Sequence, residues 1–472
     1  MMKRTKIKEA PKHIGEKIKV AGWINSCRSH GKIIFIDIRD ESGVLQTVFL
    51  SSLKTEVVEK AKLVRDEWVV EIEGEINKRP GAAKNKDIST GEIEMAAESI
   101  NILSEAKTPP FPINGDGYDI KEEKRLEYRY LDLRRKRMKD NIIIRQQASS
   151  FIRNYLIEKG FIEIETPILT KSTPEGARDF LVPSRIHKGE FYALPQSPQQ
   201  YKQLLMVAGF EKYFQFPHVF RDEDLRADRL FEHTQLDIEM SFIEEEDVFE
   251  LIEGMMSNLM EKVFNRKIKI PFPRISYDEA IGKYKTDKPD LRKDKNSDEL
   301  AFSWTVDFPM FEILQDGSLD AVHHPFTSLK DDDIKIFEKI DLKNFDKEKL
   351  LKLKAKQYDL VLNGVEIMGG SIRTHKSEIL KKTFEVMGHS PEGVEKRFGH
   401  ILEAFKFGVP PHGGIAAGFD RLLQTVLKEK SIRETVAFPT TTSGNTAVMD
   451  APSFVDENQL KELGLKLRKE EQ

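Results

Sequence analysis

Apolar and polar residues alternate with a period of two through most of the first hundred positions. "KIKVAGWINSCR", "KIIFIDIRD", "GVLQTVFL", "EWVVEIEGEINKR" and "GEIEMAAESINIL" carry the pattern, separated by Gly, Ser and charged turns. They read as five short strands. One stretch between the third and fourth, "SLKTEVVEKAKLV", is helical in character. "EAKTPPFPI" then loses all periodicity and reads as a linker.

Five strands with one interposed helix predict a small Greek-key β-barrel of the OB type. Beyond the linker the pattern changes. Residues 121 to 159 have helical spacing, and after them long helices mix with apolar strands. "KYFQFPHVF", "HTQLDIEMSF", "YDLVLNGVEI" and "GGIAAGFDRLL" are the main strand candidates. Such a mixture predicts an α+β domain on an antiparallel sheet. The expected division is a barrel domain over 1–105, a linker or hinge over 106–140 and a larger α+β domain over 141–472. "LKDDDIKIFEKIDLKNFDKEKLLKLKAKQ" predicts an exposed helical surface.

The length of 472 residues fits this multi-domain reading. No apolar run approaches the roughly 20 residues of a membrane span, and the basic start has no apolar stretch behind it, so it is not a secretory signal. The single cysteine, Cys27, excludes an intramolecular disulfide and a cysteine-rich zinc site. A reducing cytoplasm is the simplest setting. Net charge is −4, yet the first fifty residues carry ten Lys or Arg against five Asp or Glu. A local basic excess is either an RNA footprint or a solvated surface.

In "KIIFIDIRD" the alternation places Ile34, Ile36 and Ile38 on one face and Phe35, Asp37 and Arg39 on the other. An aromatic on the polar face of such a strand either stacks on an unpaired base or packs under a neighbouring loop. Arg28 and Gln46 are polar groups near the same surface. In the second domain, "FRDEDLRADRLFEHTQLD" is dense in charge between apolar segments. "HTQLDIEMSF" puts Thr234, Leu236, Ile238, Met240 and Phe242 on one side and Gln235, Asp237, Glu239 and Ser241 on the other. The polar side is either a wet sheet face or a binding surface. Arg221, at a strand end, is placed to clamp a phosphate through its planar fork.

Four further constellations join it. "LPQSPQQYKQLL" offers Ser197, Gln199 and Lys202. "AVHHPFT" sets His323 beside His324. "DLVLNGVEIMGGSIR" spaces Asp359, Glu366 and Arg373 by seven residues. "HGGIAAGFDRLLQTVL" leads a glycine-rich strand into a helix with Arg421 in its first turn. Each alone has a structural explanation.

Together they resemble the bacterial-type aspartyl-tRNA synthetases of class II. "FIEIETPILTKSTPEGARDFLVP" is similar to motif 1 and the loop that closes over the amino acid. "FRDEDLRADRLFEHTQLDIEMSF" is similar to motif 2, and "GGIAAGFDRLL" to motif 3. "GWINSCRSHGKIIFIDIRDESG" resembles the anticodon-binding barrel. The resemblance implies a ligase that joins L-aspartate and ATP into aspartyl-AMP and passes the aspartyl group to the 3′ end of tRNA(Asp). It implies Mg²⁺ on Asp359 and Glu366. Arg221 and Arg421 would bind ATP, with Glu223, His233, Gln235 and Glu366 beside them. Arg221, Arg421 and Glu366 would be catalytic. Lys202 and Arg373 would grip the aspartate side chain. Glu175, Gln199 and Asp237 would surround its amino group, with Ser197, His323 and His324 bordering the pocket. Pro167 would lie in a homodimer interface. Phe35, Arg28, Gln46 and Glu92 would read the anticodon.

Some positions depart from that pattern. The family's large inserted domain is absent near 292–301. His233 stands where a phenylalanine is usual, and Met368 replaces a glycine of a triple-glycine run. His30 and Gly81 resemble the relaxed form of the enzyme, which also charges tRNA(Asn) and relies on an amidotransferase to convert the product. Asparaginyl- and lysyl-tRNA synthetases share the architecture. These are the alternative readings, together with a non-charging paralogue that either forms an amide from aspartyl adenylate or only binds RNA.

Overall fold

Ile34, Ile36 and Ile38 point inward, as their alternation requires, and join Val20, Ile24, Val70, Ile72 and Met95 in one core. That core fills a closed five-stranded barrel. Its strands are β1 (Lys17–His30), β2 (Ile33–Asp40), β3 (Gly43–Leu50), β4 (Val69–Lys78) and β5 (Ile93–Ser104), in the order β1–β2–β3–β5–β4. Helix α1 (Thr55–Leu63) lies between β3 and β4. This is a computed structural model, and it describes residues 2–172, 176–342 and 345–468. The chain divides into two units, Met1–Gly117 and Tyr118–Gln472. The boundary falls inside the stretch expected to be a hinge.

In the larger unit, a nine-stranded sheet runs through the described residues. The strand order is Arg274–Ser276, Phe302–Val306, Gln357–Leu362, Val365–Ile372, His412–Gly418, Glu232–Ser241, Lys212–Gln215 and Ile162–Glu163. His218–Phe220 also pairs with Glu232–Ser241. The six central strands are antiparallel and only the outermost pairs are parallel. "YDLVLNGVEI" is two strands, not one. Asn363 and Gly364, both at positive φ, make the two-residue turn that "NG" favours.

The helices Lys136–Glu158 and Glu245–Lys262 supply Ile152, Leu156, Ile252, Met255 and Leu259 to the core under the sheet, against Phe214, Ile238, Trp304 and Ile415. Strand Glu232–Ser241 is buried on both sides. Its polar residues are therefore not a wet face. Phe242, expected on the apolar side, lies beyond the strand at φ +60° and is 68% exposed. The positive φ takes it out of the alternation.

The charged helical stretch after residue 121 is not a solvated surface. Asp132 accepts hydrogen bonds from Arg125 at 3.1 Å, Arg129 at 2.9 Å and Arg135 at 2.8 Å, all four residues being buried. Glu434 takes Arg125 at 2.7 Å and Arg137 at 3.0 Å. Helices Asp331–Lys339 and Lys347–Leu351 carry the expected exposed charges over a small core that includes Phe337 and Leu350. No helix among the described residues is long and apolar enough to cross a membrane.

Candidate active site

The polar side of strand Glu232–Ser241 forms the floor of a cavity of about 350 Å³. Close strand approach makes the floor possible. A Cβ on Gly414 would stand 2.0 Å from the Ile238 carbonyl oxygen and 2.3 Å from Glu239 Oε2, so only glycine fits. Helix Gln199–Val207 aims Gln199 and Lys202 into the cavity, with Ser197 before it. The floor strand contributes His233, Gln235 and Asp237. Arg221 and Glu223 follow strand His218–Phe220. His323, His324, Asp359, Glu366, Arg373 and Arg421 complete the wall. These residues lie as much as 224 positions apart in sequence, from Ser197 to Arg421. Glu175 lies outside the described residues.

At one end the cavity is built from ion pairs. Lys202 Nζ lies 2.9 Å from Asp237 Oδ1 and 3.3 Å from Glu239 Oε2. Arg373 donates to Glu239 through Nε at 3.0 Å and Nη2 at 3.2 Å, and through Nη1 to Ser371 Oγ at 2.7 Å. Burial alone would raise the Glu239 carboxyl. Arg373 and Lys202 outweigh it and hold the group down to about 2. Glu239 was visible in the sequence only as one more polar residue of the strand. Alternation assigns a face but does not name a partner.

Several buried polar atoms on this wall have no hydrogen-bond partner among the described residues: Gln199 Nε2, Gln235 Oε1, Asp237 Oδ2, His324 Nε2 and Asp359 Oδ2. Burying such groups unpaired is costly, so their convergence marks a site for a polar ligand. His324 Nδ1 accepts the Phe326 backbone N–H at 3.3 Å. The proton of the neutral ring therefore sits on Nε2, facing the cavity. Burial, with Arg373 and Lys202 nearby, keeps that ring neutral by lowering its pKa to about 3.

Arg221, Arg229 and Arg421 line the other end. Arg221 reaches the Gln196 carbonyl only at 3.5 Å. Glu223 is held by Arg229 at 2.7 Å, and Arg421 donates to the Glu366 carbonyl at 3.3 Å. His233 is lowered to about 3 by burial and by Arg221, Arg421 and Arg229. It is a neutral aromatic plane among cations. Asp420, missed in the sequence, fixes the helix that carries Arg421. It accepts the Thr234 backbone N–H at 2.9 Å and pairs with Arg145. Met368 borders the cavity and belongs to the core under the sheet.

Asp359 and Glu366 are brought together. Burial and the Glu366 charge push the Asp359 carboxyl well up. Burial also works to raise Glu366, but Lys288 outweighs it and holds that carboxyl low. Lys288 Nζ lies 2.7 Å from Glu366 Oε2. Sequence reading gave Lys288 no role, because it comes from a loop with no periodicity.

In the barrel, Arg28, Phe35 and Gln46 share the outer face of β1–β3. Arg28 is opposite Phe35, and Gln46 is opposite Asp37. Phe35 is half-buried. Arg28 pairs with Asp37 at 3.1 Å, and Gln46 donates to Glu94 at 3.1 Å. Arg39, on the same face, is buried against Glu67 at 2.8 Å. Glu92 is exposed beside β5 and pairs with Lys84 at 2.8 Å. His30 ends β1 and is exposed, as is Gly81.

Residues 121–442 match the family model for class II tRNA synthetases (D, K and N), and residues 18–103 match that for an OB-fold nucleic acid binding domain. The chain is 41% identical to an aspartate–tRNA(Asp/Asn) ligase of Dictyoglomus turgidum, over 97% of this chain and 96% of the relative. It belongs to the aspartate–tRNA ligase family. A ligase of the same description from Natranaerobius thermophilus is also 41% identical, over 97% of this chain and 98% of its own. The fold is that of the crystal structure of asparaginyl-tRNA synthetase from Pyrococcus horikoshii complexed with asparaginyl-adenylate. That structure has a TM-score of 0.74 at 24% identity and covers 93% of this chain and 99% of its own. The alignment to the Dictyoglomus ligase spans 580 positions, while this ligase has 472 residues. At least 108 positions are therefore residues that the relative has and this ligase lacks.

Proposed function

We propose that this ligase activates L-aspartate with ATP and charges both tRNA(Asp) and tRNA(Asn). What carries the amino-acid reading is the arrangement of Lys202, Arg373 and the free Nε2–H of His324 opposite the unpaired Asp237 Oδ2. Aspartate has a side-chain carboxylate for the cations and an ammonium for Asp237. Asparagine would present a neutral amide to two buried cations, and lysine a third cation. Gln199 and Ser197 stand beside the ammonium position.

Aspartate attacks through a carboxylate already ionised at neutral pH, so the chain's work is positioning and charge neutralisation. Arg221 holds the α-phosphate and Arg421 reaches toward the γ-phosphate. His233 stacks on adenine, with Glu223 and Gln235 beside the nucleotide. Asp359 and Glu366 are hard oxygen donors, and the crowded, partnerless Asp359 Oδ2 is what a Mg²⁺ ion would relieve. Bound there, Mg²⁺ would neutralise phosphate charge. In the barrel, Phe35 stacks on the central anticodon base, with Arg28, Gln46 and Glu92 around it.

The relaxed tRNA choice rests on His30 and Gly81 and on the relatives' names, which specify tRNA(Asp/Asn). An enzyme that makes aspartyl-tRNA(Asn) needs an amidotransferase to finish the product, and we assign one as partner in a cytoplasmic setting. A homodimer is supported by exposed Ile162, Ile168 and Leu169 flanking Pro167. The test is aminoacylation of separate aspartate and asparagine tRNA transcripts with labelled aspartate. Comparable charging of both is expected; charging of the aspartate transcript alone would refute the relaxed specificity.

A further inference from the structure

Lys288 is not one of the residues the family resemblance names, yet it lies against the acidic pair. Its Nζ lies 2.7 Å from Glu366 Oε2. The backbone that carries it is anchored: Thr305 Oγ1 donates to the Asp287 carbonyl at 2.7 Å, and the Lys288 N–H donates to Thr286 Oγ1 at 3.1 Å. The side chain is not locked in the same way, being 38% exposed. A lysine stem of four carbons can swing its ammonium without moving the loop.

The carboxylate pair is otherwise poor in ligands. Among the described residues, no group of three or more His, Cys, Asp or Glu is placed to hold a metal ion. Asp359 Oδ2 has no hydrogen-bond partner, and the His323 ring, whose Nε2 lies 3.8 Å away, has its pKa lowered by burial and so offers no charge. Gly369 keeps the space beside the pair open. A Cβ there would lie 3.0 Å from Asp359 Oδ1 and 3.4 Å from Glu366 Oε1. Two carboxylates with one charge already neutralised by lysine attract a divalent ion weakly. The same two with substrate phosphate oxygens make an ordinary Mg²⁺ site.

We propose that Lys288 is the resident counter-cation of the Asp359–Glu366 pair and competes with the divalent metal for Glu366. Metal therefore enters tightly only together with the polyphosphate, whose oxygens receive the displaced ammonium. The device keeps the pair electrostatically satisfied between turnovers and ties metal affinity to the presence of nucleotide. It rests on the reading of Asp359 and Glu366 as metal ligands.

The test is Mn²⁺ binding to the nucleotide-free enzyme, followed by the electron paramagnetic resonance signal of free Mn²⁺. Wild type is compared with Lys288→Met, Lys288→Arg and Glu366→Gln. Removing the competing charge should tighten Mn²⁺ binding by about tenfold in Lys288→Met. Lys288→Arg should stay near wild type and Glu366→Gln should bind more weakly. Unchanged or weaker binding in Lys288→Met, with Glu366→Gln impaired, overturns the counter-cation role and leaves the metal site standing. Unchanged binding in Glu366→Gln overturns the metal site itself.

Discussion

Arg373 and Glu239 are joined by two hydrogen bonds inside the protein, and Lys202 stands 3.3 Å from the same carboxylate. With Asp237 on Lys202, two cations and two anions balance before any ligand arrives. A substrate that adds one carboxylate and one ammonium preserves that balance, and aspartate's side chain and amino group do so.

Glu239→Gln should therefore be costly. It leaves buried cations without their shared anion, and the expected loss is about 3 kcal/mol of stability. Saturating aspartate should raise the melting temperature more in the variant than in wild type, because the ligand carboxylate replaces the missing charge. Chemical and thermal unfolding with and without aspartate measure both effects. An unchanged stability would mean that the pair is not the keystone of this wall.

Lys202→Met should lower aspartate-dependent pyrophosphate exchange by about 10²-fold or more, the scale on which a preorganised charge acts in a closed site. Near-normal exchange would remove Lys202 from the amino-acid pocket.

His233→Phe should lower the KM for ATP about fivefold, since a phenyl ring adds stacking worth about 1 kcal/mol. The same variant tests the pH dependence. The His233 ring stays neutral in the fold down to about 3, against an ordinary value of 6.5. The unfolded chain thus takes up a proton first as pH falls. The stability associated with a neutral His233 is complete above pH 6.5 and is lost progressively toward pH 3. Unfolding curves between pH 7 and 4 should be flatter for the phenylalanine variant, with His324 contributing a remaining slope of the same sign.

Phe35→Ala should slow tRNA charging by about 1–3 kcal/mol of lost base stacking, with pyrophosphate exchange unchanged. An equal fall in exchange would deny the barrel a separate role.

The barrel was legible because period-two alternation is a property of neighbouring residues: Ile34, Ile36 and Ile38 announce their face without help from the rest of the chain. The cavity-lining side chains were legible as a set because short stretches dense in polar and charged residues recur along the second domain, and three of those stretches resemble known motifs. Glu239 and Asp420 were hidden for the opposite reason. What makes them matter is a partner more than a hundred residues away, Arg373 for one and Arg145 for the other. The burial of the Arg125–Arg129–Asp132–Arg135 group was hidden for the same cause. Charge on a helix reads as solvent exposure until the surrounding fold excludes the solvent.

Gly414 sets a limit on how this site could change its taste. A larger residue there would drive into Glu239 and the Ile238 carbonyl. Gly370, which faces the Gly414 carbonyl oxygen at 2.2 Å from where its own Cβ would be, is equally closed to growth. The floor cannot be recontoured by gradual substitution. Change in this wall is left to its tethered cations, Lys202 and Arg373, where replacement alters charge, and to the neutral His324, where it alters a hydrogen-bond donor.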